Sequence, residues 1–488
     1  MKKFSQALVW LTFSEIIYNL SGLVVHFAMG RILGPEQYGR FGLVITLTTM
    51  IIILIGNGIP TAMSKYLSEI IDTAPEKIYG IKRSALKLQM ILMGIVTVVF
   101  FLLAPIFSWL LHDPSLTPLF QLSSLIIPTF AAASFYFYYF TGLHFFRMQA
   151  ILKSLRAFAR IGFIVLLAYY FSVPGAISGY ILAPLTVFVV ALLCDGWLTK
   201  KYFPIAHTHK TTSLFSITTL FQYAWPLTLF LLFYESILTL DLYFVKSLLQ
   251  SDYLTGIYNA AITAGRIPYY LFYALAIILL PAISKTTAER NTAETEKLVN
   301  TSLRLMTLLL FPLVTLLIIY APYILTLFYG ASYVTATQPM SIFAIGVGCI
   351  TIFYVLSFAL NGAGLVKIPM KLTLFGLVGM IFLNFLLIPT LELIGAALAT
   401  TIVSFILMIG ILIAIKRHFN VQIPLKTVFW SCISVAIIIV IARLLPQGTY
   451  SFIASGTLLF FAYFGLLKIF GELRQEDYQP FIRLFTKS

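Results

Sequence analysis

Charged side chains are scarce in this chain of 488 residues. Only 10% of its residues are Asp, Glu, Lys or Arg, against about a quarter in a soluble domain. Cysteine is rarer still: Cys194, Cys349 and Cys432 all lie inside apolar runs without metal-ligand spacing, which argues against disulfides and against a zinc site. With 60% apolar residues, the chain has the composition of a protein whose solvent is a lipid bilayer.

Acidic side chains are particularly few. The chain has 17 Asp and Glu against 32 Lys and Arg, which gives a net charge of +15. In a soluble protein this excess would favour a nucleic-acid partner. Here the basic residues lie mainly in short connections between apolar runs, so we predict no nucleic-acid partner. His207 and His209 have no Cys or carboxylate companion, and we predict neither a metal site nor a cofactor.

Long apolar runs dominate what is present. A run of about twenty apolar residues crosses the hydrocarbon core of a bilayer as a helix. The predicted fold class is therefore an all-α integral membrane protein of about fourteen transmembrane helices. The spans lie at roughly 7–30, 41–63, 88–111, 117–141, 157–172, 176–198, 219–247, 256–283, 302–328, 338–361, 369–389, 394–415, 427–445 and 449–470.

Basic residues are distributed unequally between the two ends of these spans. In the predicted topology, 27 of the 32 Lys and Arg fall on one side of the membrane. The positive-inside rule makes that side cytoplasmic, and the even number of spans places both termini there. We therefore expect a multi-pass protein of the cell (plasma or inner) membrane. The opposite side receives only Arg31, Arg40, Lys246 and Arg443.

One stretch of the sequence occurs twice. FAMGRILGPEQYGRFGLV at 27–44 returns in weakened form as FVKSLLQSDYLTGIYNAA at 244–261, at an offset of 217 residues. Gly34 and Pro35 predict a tight connection between two helices in the first copy, because Gly accepts turn torsions and Pro cannot continue a helix. The repeat predicts a duplicated chain. The offset pairs Phe27 with Phe244, Gly39 with Gly256, and Phe41 with Tyr258.

The duplication predicts two six-helix lobes, residues 1–199 and 214–418, joined by a cytoplasmic linker at 200–213. Each lobe has an even number of spans, so both enter the membrane in the same direction. A pseudo-two-fold axis along the membrane normal should relate them, with a cavity between. Residues 419–488 hold the last two spans and a cytoplasmic tail, which form a C-terminal appendage.

Three stretches resemble one known family. GRILGPEQYGRFGL (30–43), FYGASYVTATQPMSIFAIG (328–346) and NFLLIPTLELIGAALATT (384–401), together with the repeat, are similar to the polysaccharide-transporter branch of the MOP exporter superfamily. That branch contains flippases for lipid-linked oligosaccharides such as O-antigen repeat units. The lipid II flippases and the MATE drug exporters are related branches. The resemblance implies two lobes around a cavity that opens alternately to each side.

The function implied is that of a flippase. It would move a polyprenyl-(di)phosphate-linked oligosaccharide from the cytoplasmic to the outer leaflet for the assembly of cell-surface polysaccharide. Two alternatives stay open: a MATE-type, cation-coupled multidrug exporter and a lipid II flippase. Lipid II flippases typically carry basic residues in the first helix, whereas His26 is the only titratable group in NLSGLVVHFAM here.

An enzyme is not expected from this chain. A membrane glycosyltransferase would need a sizeable outward domain and an acidic catalytic motif, and the outward loops here are only short. The expected partners are the lipid-linked oligosaccharide, membrane lipids, a polysaccharide polymerase and glycosyltransferases, with the chain itself a monomer.

Arg266 is the main candidate for substrate binding. An ionisable side chain in hydrocarbon costs on the order of 3 kcal/mol or more unless it faces a cavity or a partner. Arg266 lies in a span without another charge, followed by Tyr269, and its planar guanidinium suits a diphosphate. His26, Arg31 and Arg147 complete the predicted substrate-binding set.

The resemblance also implies an ion-coupling site. In lipid II flippases an acid of the seventh helix and polar groups of the eleventh and twelfth helices bind sodium. The matching residues here are Asp241, Asn384, and Thr400 or Thr401, and the coupling ion would be Na⁺ or H⁺. The second acid of that pattern is absent, because the residue one turn after Asn384 is Ile388.

Overall fold

The computed structural model describes residues 2–56, 58–71, 74–202, 217–446 and 448–473, and no β-strand occurs among them. The predicted all-α fold is confirmed. Residues 203–213 of the predicted linker, including His207 and His209, and the tail after residue 473 lie outside the described chain.

The first half of the chain forms helices α1 to α7. They are α1 (Lys2–Gly56), α2 (Gly58–Ile70), α3 (Ile78–Leu110), α4 (Thr117–Ser123), α5 (Ile126–Gly142), α6 (Phe146–Tyr202) and α7 (Ile217–Leu249). The second half forms α8 (Asp252–Gly265), α9 (Ile267–Ala288), α10 (Thr292–Ile319), α11 (Ala321–Phe328), α12 (Thr337–Gly362), α13 (Lys367–Phe419), α14 (Leu425–Ala442) and α15 (Ser451–Ile469).

Ten helices in the described ranges are long and apolar enough to cross a membrane, judged by length and composition. Three of them extend over 53 to 56 residues, which is enough for two of the predicted spans each. Each of these three long helices contains a residue with non-helical torsions, namely Gly34 in α1, Ser172 in α6 and Glu392 in α13. The eighth predicted span is divided at Arg266 into α8 and α9. The chain is thus a multi-pass membrane protein.

Gly34 ends the first part of α1, as the sequence predicts. Its φ of 69° and ψ of 172° lie where a residue with a Cβ is strained. Pro35 follows at the first position of the next helical segment, where its missing N–H breaks no helical hydrogen bond.

The backbone repeats at the connections between helices. Gly34, His112, His144 and Ser172 have positive φ, and so do Gln250, Gly330, Gly364 and Glu392, which lie 216 to 220 residues further along. Ser172 (φ 54°, ψ −137°) and Glu392 (φ 49°, ψ −126°) share the same unusual torsions. The two halves therefore turn at equivalent positions, although the residues that make the turns differ.

The structure forms two compact units, Met1–Asn259 and Ala260–Ser488, whose boundary falls within α8. In the first unit α1 packs along α6, α5 packs on α6, and α2 packs between α5 and α7. A core that includes Met63, Leu67, Tyr139 and Val187 joins α2, α5 and α6. In the second unit α12 packs on α9, α10 and α13, and α14 packs on α10 and α15.

Gly39 and Gly256, the residues that the repeat pairs, lie against each other in the first unit. A Cβ on Gly39 would lie 2.8 Å from the backbone nitrogen of Gly256 and 2.4 Å from the carbonyl oxygen of Asp252. A Cβ on Gly256 would lie 1.8 Å from the carbonyl oxygen of Pro35. The two copies of the repeated segment thus meet backbone to backbone, and neither position has room for a side chain.

We expect Gly256→Ala to destabilise the protein by about 2 kcal/mol or more, because the added methyl group forces the Pro35 segment away from α8. The melting temperature of the purified protein measures the effect. Gly162→Ala in α6 is the matched control, since no atom lies within 4 Å of its Cβ position, and alanine there should be neutral or stabilising. Equal melting temperatures for the two variants would contradict the close contact.

Candidate functional site

Arg266 lies at the break between α8 and α9, in the second unit. It is the residue before the first turn of α9, where Pro268 occupies one of the first two positions. Its side chain is half-buried, and its carbonyl oxygen accepts a hydrogen bond from the Tyr269 N–H at 3.0 Å. The guanidinium is therefore placed by a helix terminus rather than by the middle of a continuous span.

Tyr269 belongs to a group of aromatic rings next to Arg266. The Tyr269 and Tyr354 ring centroids are 5.2 Å apart, Tyr273 stacks on Tyr354 at 6.0 Å, and Phe358 lies 4.8 Å from Tyr354. Tyr269 and Tyr273 are partly exposed, whereas Tyr354 is buried. We call Tyr269, Tyr273, Tyr354 and Phe358 the tyrosine group. Rings with an apolar body and a polar tip suit a ligand that presents both kinds of surface.

His26 lies in the first unit, in the part of α1 before Gly34, and its ring contacts the part after Gly34. Its Nδ1 is 3.0 Å from the Tyr38 hydroxyl, and its ring meets the edges of Tyr38 and Phe41 at about 6 Å. Arg31, just before the Gly34 turn, is exposed. His26 therefore packs across the turn, while Arg31 lies at its surface.

Arg147 is separate from these residues. It is exposed at the start of α6, and its guanidinium carbon lies 5.7 Å from the Trp10 ring. Trp10 precedes His26 by sixteen residues of the same helix, or about 24 Å of helix length. The structure thus does not bring Arg147 together with His26 and Arg31.

Asp241 is fully buried in α7. Its Oδ2 accepts a hydrogen bond from the Tyr258 hydroxyl at 2.7 Å, and its Oδ1 accepts one from the Leu242 N–H at 2.9 Å. Tyr258, in α8, is also fully buried. A carboxylate buried in a membrane-spanning helix is a candidate functional group.

Asn384 and Thr400, both fully buried in α13, approach the same residue of the second unit. The Asn384 amide donates to the Met380 carbonyl oxygen at 2.9 Å, and the Thr400 hydroxyl lies 3.9 Å from the Met380 sulfur. The Asn384 Oδ1 has no hydrogen-bond partner among the described residues. Thr401 lies apart from them, with its hydroxyl 2.9 Å from the Ile342 carbonyl oxygen of α12.

A network of four charges connects the turns of the first unit. Lys246 lies 3.0 Å from Asp113 and 2.5 Å from Asp252, and Arg40 lies 3.7 Å and 3.6 Å from the same two carboxylates. We call these four residues the ion network. Burial raises the pKa of Asp113, but hydrogen bonds from Ser115 and Lys246 and the charges of Lys246 and Arg40 lower it more, so that it lies below its ordinary value.

An apolar cavity of about 410 Å³ lies in the second unit between α10, α12, α13 and α14. Its walls include Leu310, Phe311, Ile345, Met408 and Val428. No charged side chain lines it within the described chain. Its chemistry matches that of a hydrocarbon chain.

Solved structures of membrane transporters have the same fold as this chain. The lipid II flippase MurJ, in an inward closed conformation, is 16% identical and has a TM-score of 0.76 over 97% of this chain and 100% of its own. A multidrug resistance MATE family transporter of the MOP superfamily, in an inward-facing conformation, is 16% identical with a TM-score of 0.64 over 88% of this chain and 98% of its own.

Residues 5–287 match the family described as polysaccharide biosynthesis protein, and the chain belongs to that family. An uncharacterized membrane protein of Methanocaldococcus jannaschii is 24% identical over 425 residues, which cover 84% of this chain and 98% of that protein. The family resemblance and the fold class predicted from the sequence are confirmed.

We expect Asp113→Asn to destabilise the protein by about 2 kcal/mol at neutral pH, because Lys246 and Arg40 lose a charged acceptor. The folded pKa of Asp113 is depressed, so its contribution is present above the unfolded pKa and is lost as the pH falls through the folded value. The melting-temperature difference from the wild type should therefore be constant from about pH 7 to 5 and shrink below about pH 4. Glu36→Gln, at an exposed carboxylate near the Gly34 turn, is the control. A difference that does not depend on pH would contradict the ionic role of Asp113.

Proposed function

We propose that the protein is a flippase that moves a polyprenyl-(di)phosphate-linked oligosaccharide from the cytoplasmic to the outer leaflet by alternating access. The observation that carries this proposal is the position of Arg266, at a helix break beside the tyrosine group, in a chain of the polysaccharide biosynthesis family. A guanidinium recognises phosphate oxygens bidentately, and the partly exposed rings of Tyr269 and Tyr273 offer apolar faces to the sugar rings that follow the phosphate.

The apolar cavity of the second unit supports a lipid-linked cargo. A diphosphate carried on a polyprenyl chain needs an apolar surface as well as a cation. The cavity volume of about 410 Å³ accommodates several isoprene units. Both termini and most basic residues lie on the cytoplasmic side in this proposal, where the lipid-linked sugar is made.

A lipid II flippase is the second candidate function, favoured by the structural likeness to MurJ. His26 bears on it, because it is the titratable group of the first helix from Asn19 to Met29, and its ring nitrogen contacts the Tyr38 hydroxyl. The two candidates differ in the lipid that accumulates when the protein is removed.

Deletion of the gene should cause a lipid-linked oligosaccharide to accumulate in the cytoplasmic leaflet. Mass spectrometry of the extracted lipids identifies the compound that accumulates. Accumulation of lipid II would support the second candidate, and accumulation of neither lipid would contradict both. In the deleted strain, Arg266→Ala should restore less than about a tenth of export and Arg266→Lys only part of it, because an ammonium lacks the planar pair of donors.

Arg443→Ala is the matched control for Arg266, since Arg443 is an exposed arginine at the end of α14. Export is normalised to the amount of protein in the membrane. Full export with Arg266→Lys would show that Arg266 acts only as a structural charge.

We propose further that Asp241 in the first unit, and Asn384 and Thr400 in the second, take part in coupling transport to a Na⁺ or H⁺ gradient. The burial of the Asp241 carboxylate supports this role. The Asn384 Oδ1 also supports it, because this buried oxygen accepts no hydrogen bond from a described residue. Both groups provide the oxygen ligands that Na⁺ binds, and the carboxylate also takes a proton.

We expect Asp241→Asn to abolish the dependence of transport on a Na⁺ or H⁺ gradient while the protein still reaches the membrane. Transport in proteoliposomes with imposed gradients measures this dependence. Glu289→Gln, at an exposed carboxylate, is the control and should keep the wild-type response. Unchanged ion dependence in Asp241→Asn would place coupling at other residues.

A further inference from the structure

Three cations lie on one face of α6 in the first unit. Lys153, Arg156 and Arg160 follow the spacing that places side chains on the same side of a helix. All three face Tyr18 of α1: their charged groups lie 5.4 Å, 5.3 Å and 4.4 Å from its ring. Lys153 forms an ion pair with Glu15.

Arg156 is the most deeply buried of the three, with 5% of its surface exposed. Its guanidinium carbon lies 3.8 Å from the Phe130 ring, and the Phe137 ring is 5.9 Å away. Among the ion pairs of the described residues none includes Arg156, and the nearby Glu15 carboxylate pairs with Lys153. Aromatic faces partly offset the burial of a cation at a desolvated site. They provide no acceptor for its N–H groups.

Arg160 completes the arrangement. One of its terminal nitrogens donates to the Tyr18 carbonyl oxygen at 2.6 Å and to the Ser21 hydroxyl. Both acceptors are neutral, and the Nε of Arg160 has no hydrogen-bond partner within the described ranges. We call the group formed by Tyr18, Phe130, Arg156 and Arg160 the arginine cluster. It contains two positive charges and no carboxylate.

The contacts of the two guanidiniums do not use all of their donors. Stacking on aromatic rings occupies the faces of a guanidinium, whereas its five N–H donors point outward in its own plane. An oxyanion that approaches in this plane makes two parallel hydrogen bonds and supplies the missing negative charge. A tetrahedral phosphate meets both requirements.

We propose that the arginine cluster is a binding site for the phosphate of a membrane lipid. Arg156 directly precedes the predicted span at 157–172, on the side of the membrane where most basic residues lie, so the site is near the level of the lipid phosphates. Under the proposed function, on which this assignment of the ligand rests, the site receives the substrate's diphosphate before Arg266 does. An anionic phospholipid presents the same chemistry, and the experiment separates the two sources.

The test measures binding to the purified full-length protein in nanodiscs of phosphatidylcholine. Geranylgeranyl diphosphate is the first probe and phosphatidylglycerol the second, with geranylgeraniol as an uncharged probe of the chain alone. Arg156→Gln should weaken binding of a phosphate-bearing probe by about tenfold or more, and Arg156→Lys several-fold, because lysine keeps the charge but not the planar donors. Binding of geranylgeraniol should not change.

Arg83→Gln is the matched control, because it removes an exposed arginine of α3 from the same unit. It should leave all affinities within about twofold of the wild type. If Arg156→Gln does not fold, Arg156→Lys and the thermal stabilisation of the wild-type protein by each probe decide the question.

Each outcome has a distinct meaning. Weaker binding of geranylgeranyl diphosphate supports the site and assigns it to the substrate. Weaker binding of phosphatidylglycerol alone supports a site for a phospholipid headgroup. Unchanged affinity for both probes in Arg156→Gln and Arg156→Lys, or no binding to the wild type, overturns the proposal. Arg156-dependent binding in a protein whose deletion causes no lipid-linked sugar to accumulate would overturn the proposed function and leave the phosphate site standing.

Discussion

An apolar solvent offers no partner to a charge, so an ionised side chain buried within the membrane-spanning part has to find its partner within the chain or in a ligand. Lys82 pairs with Asp195, Lys153 with Glu15, and Arg304 with Glu472, and each pair joins segments far apart in sequence. These pairs hold helices together where hydrophobic burial cannot, because lipid is as apolar as the helix surface. Under the same constraint, a buried cation that pairs with no carboxylate of the chain indicates a ligand-binding site, since a ligand has to supply the negative charge.

The features predicted well from sequence depend on neighbouring residues only. The apolar composition of each span and the turn at Gly34 and Pro35 are local properties. The structure has long apolar helices, as the composition predicts, and non-helical torsions at Gly34. Asp113 was not singled out, because its partner Lys246 lies 133 residues away and the surrounding pattern does not encode the contact. The break at Arg266 has a local signal in Pro268, because proline favours the first turn of a new helix. The apolar run around it nevertheless predicts one continuous span at 256–283.

The candidate site was predictable to a similar extent. Arg266 and Tyr269 stand out because a charge and its aromatic neighbours are adjacent in sequence. Tyr354 does not stand out, since aromatic residues on apolar helices resemble one another until packing of α12 on α9 brings it to Tyr269. In the sequence, Arg156 and Arg160 belong to a basic segment before an apolar run, which the positive-inside rule alone explains. In the folded chain the nearby acid, Glu15, pairs with Lys153, and no described carboxylate pairs with Arg156 or Arg160.

The contact of Gly39 with Gly256 has the form of an isologous interface, in which the same residue of two copies meets itself. In a dimer of single-copy chains, any substitution on such a surface changes both partners at once. Joining the copies in one chain removes that restriction, and the positions two residues further on show the result. Phe41 presents an apolar ring to His26, while its counterpart Tyr258 donates a hydroxyl to Asp241. Duplication thus allowed the ring at this position to contact an imidazole in one copy and a buried carboxylate in the other.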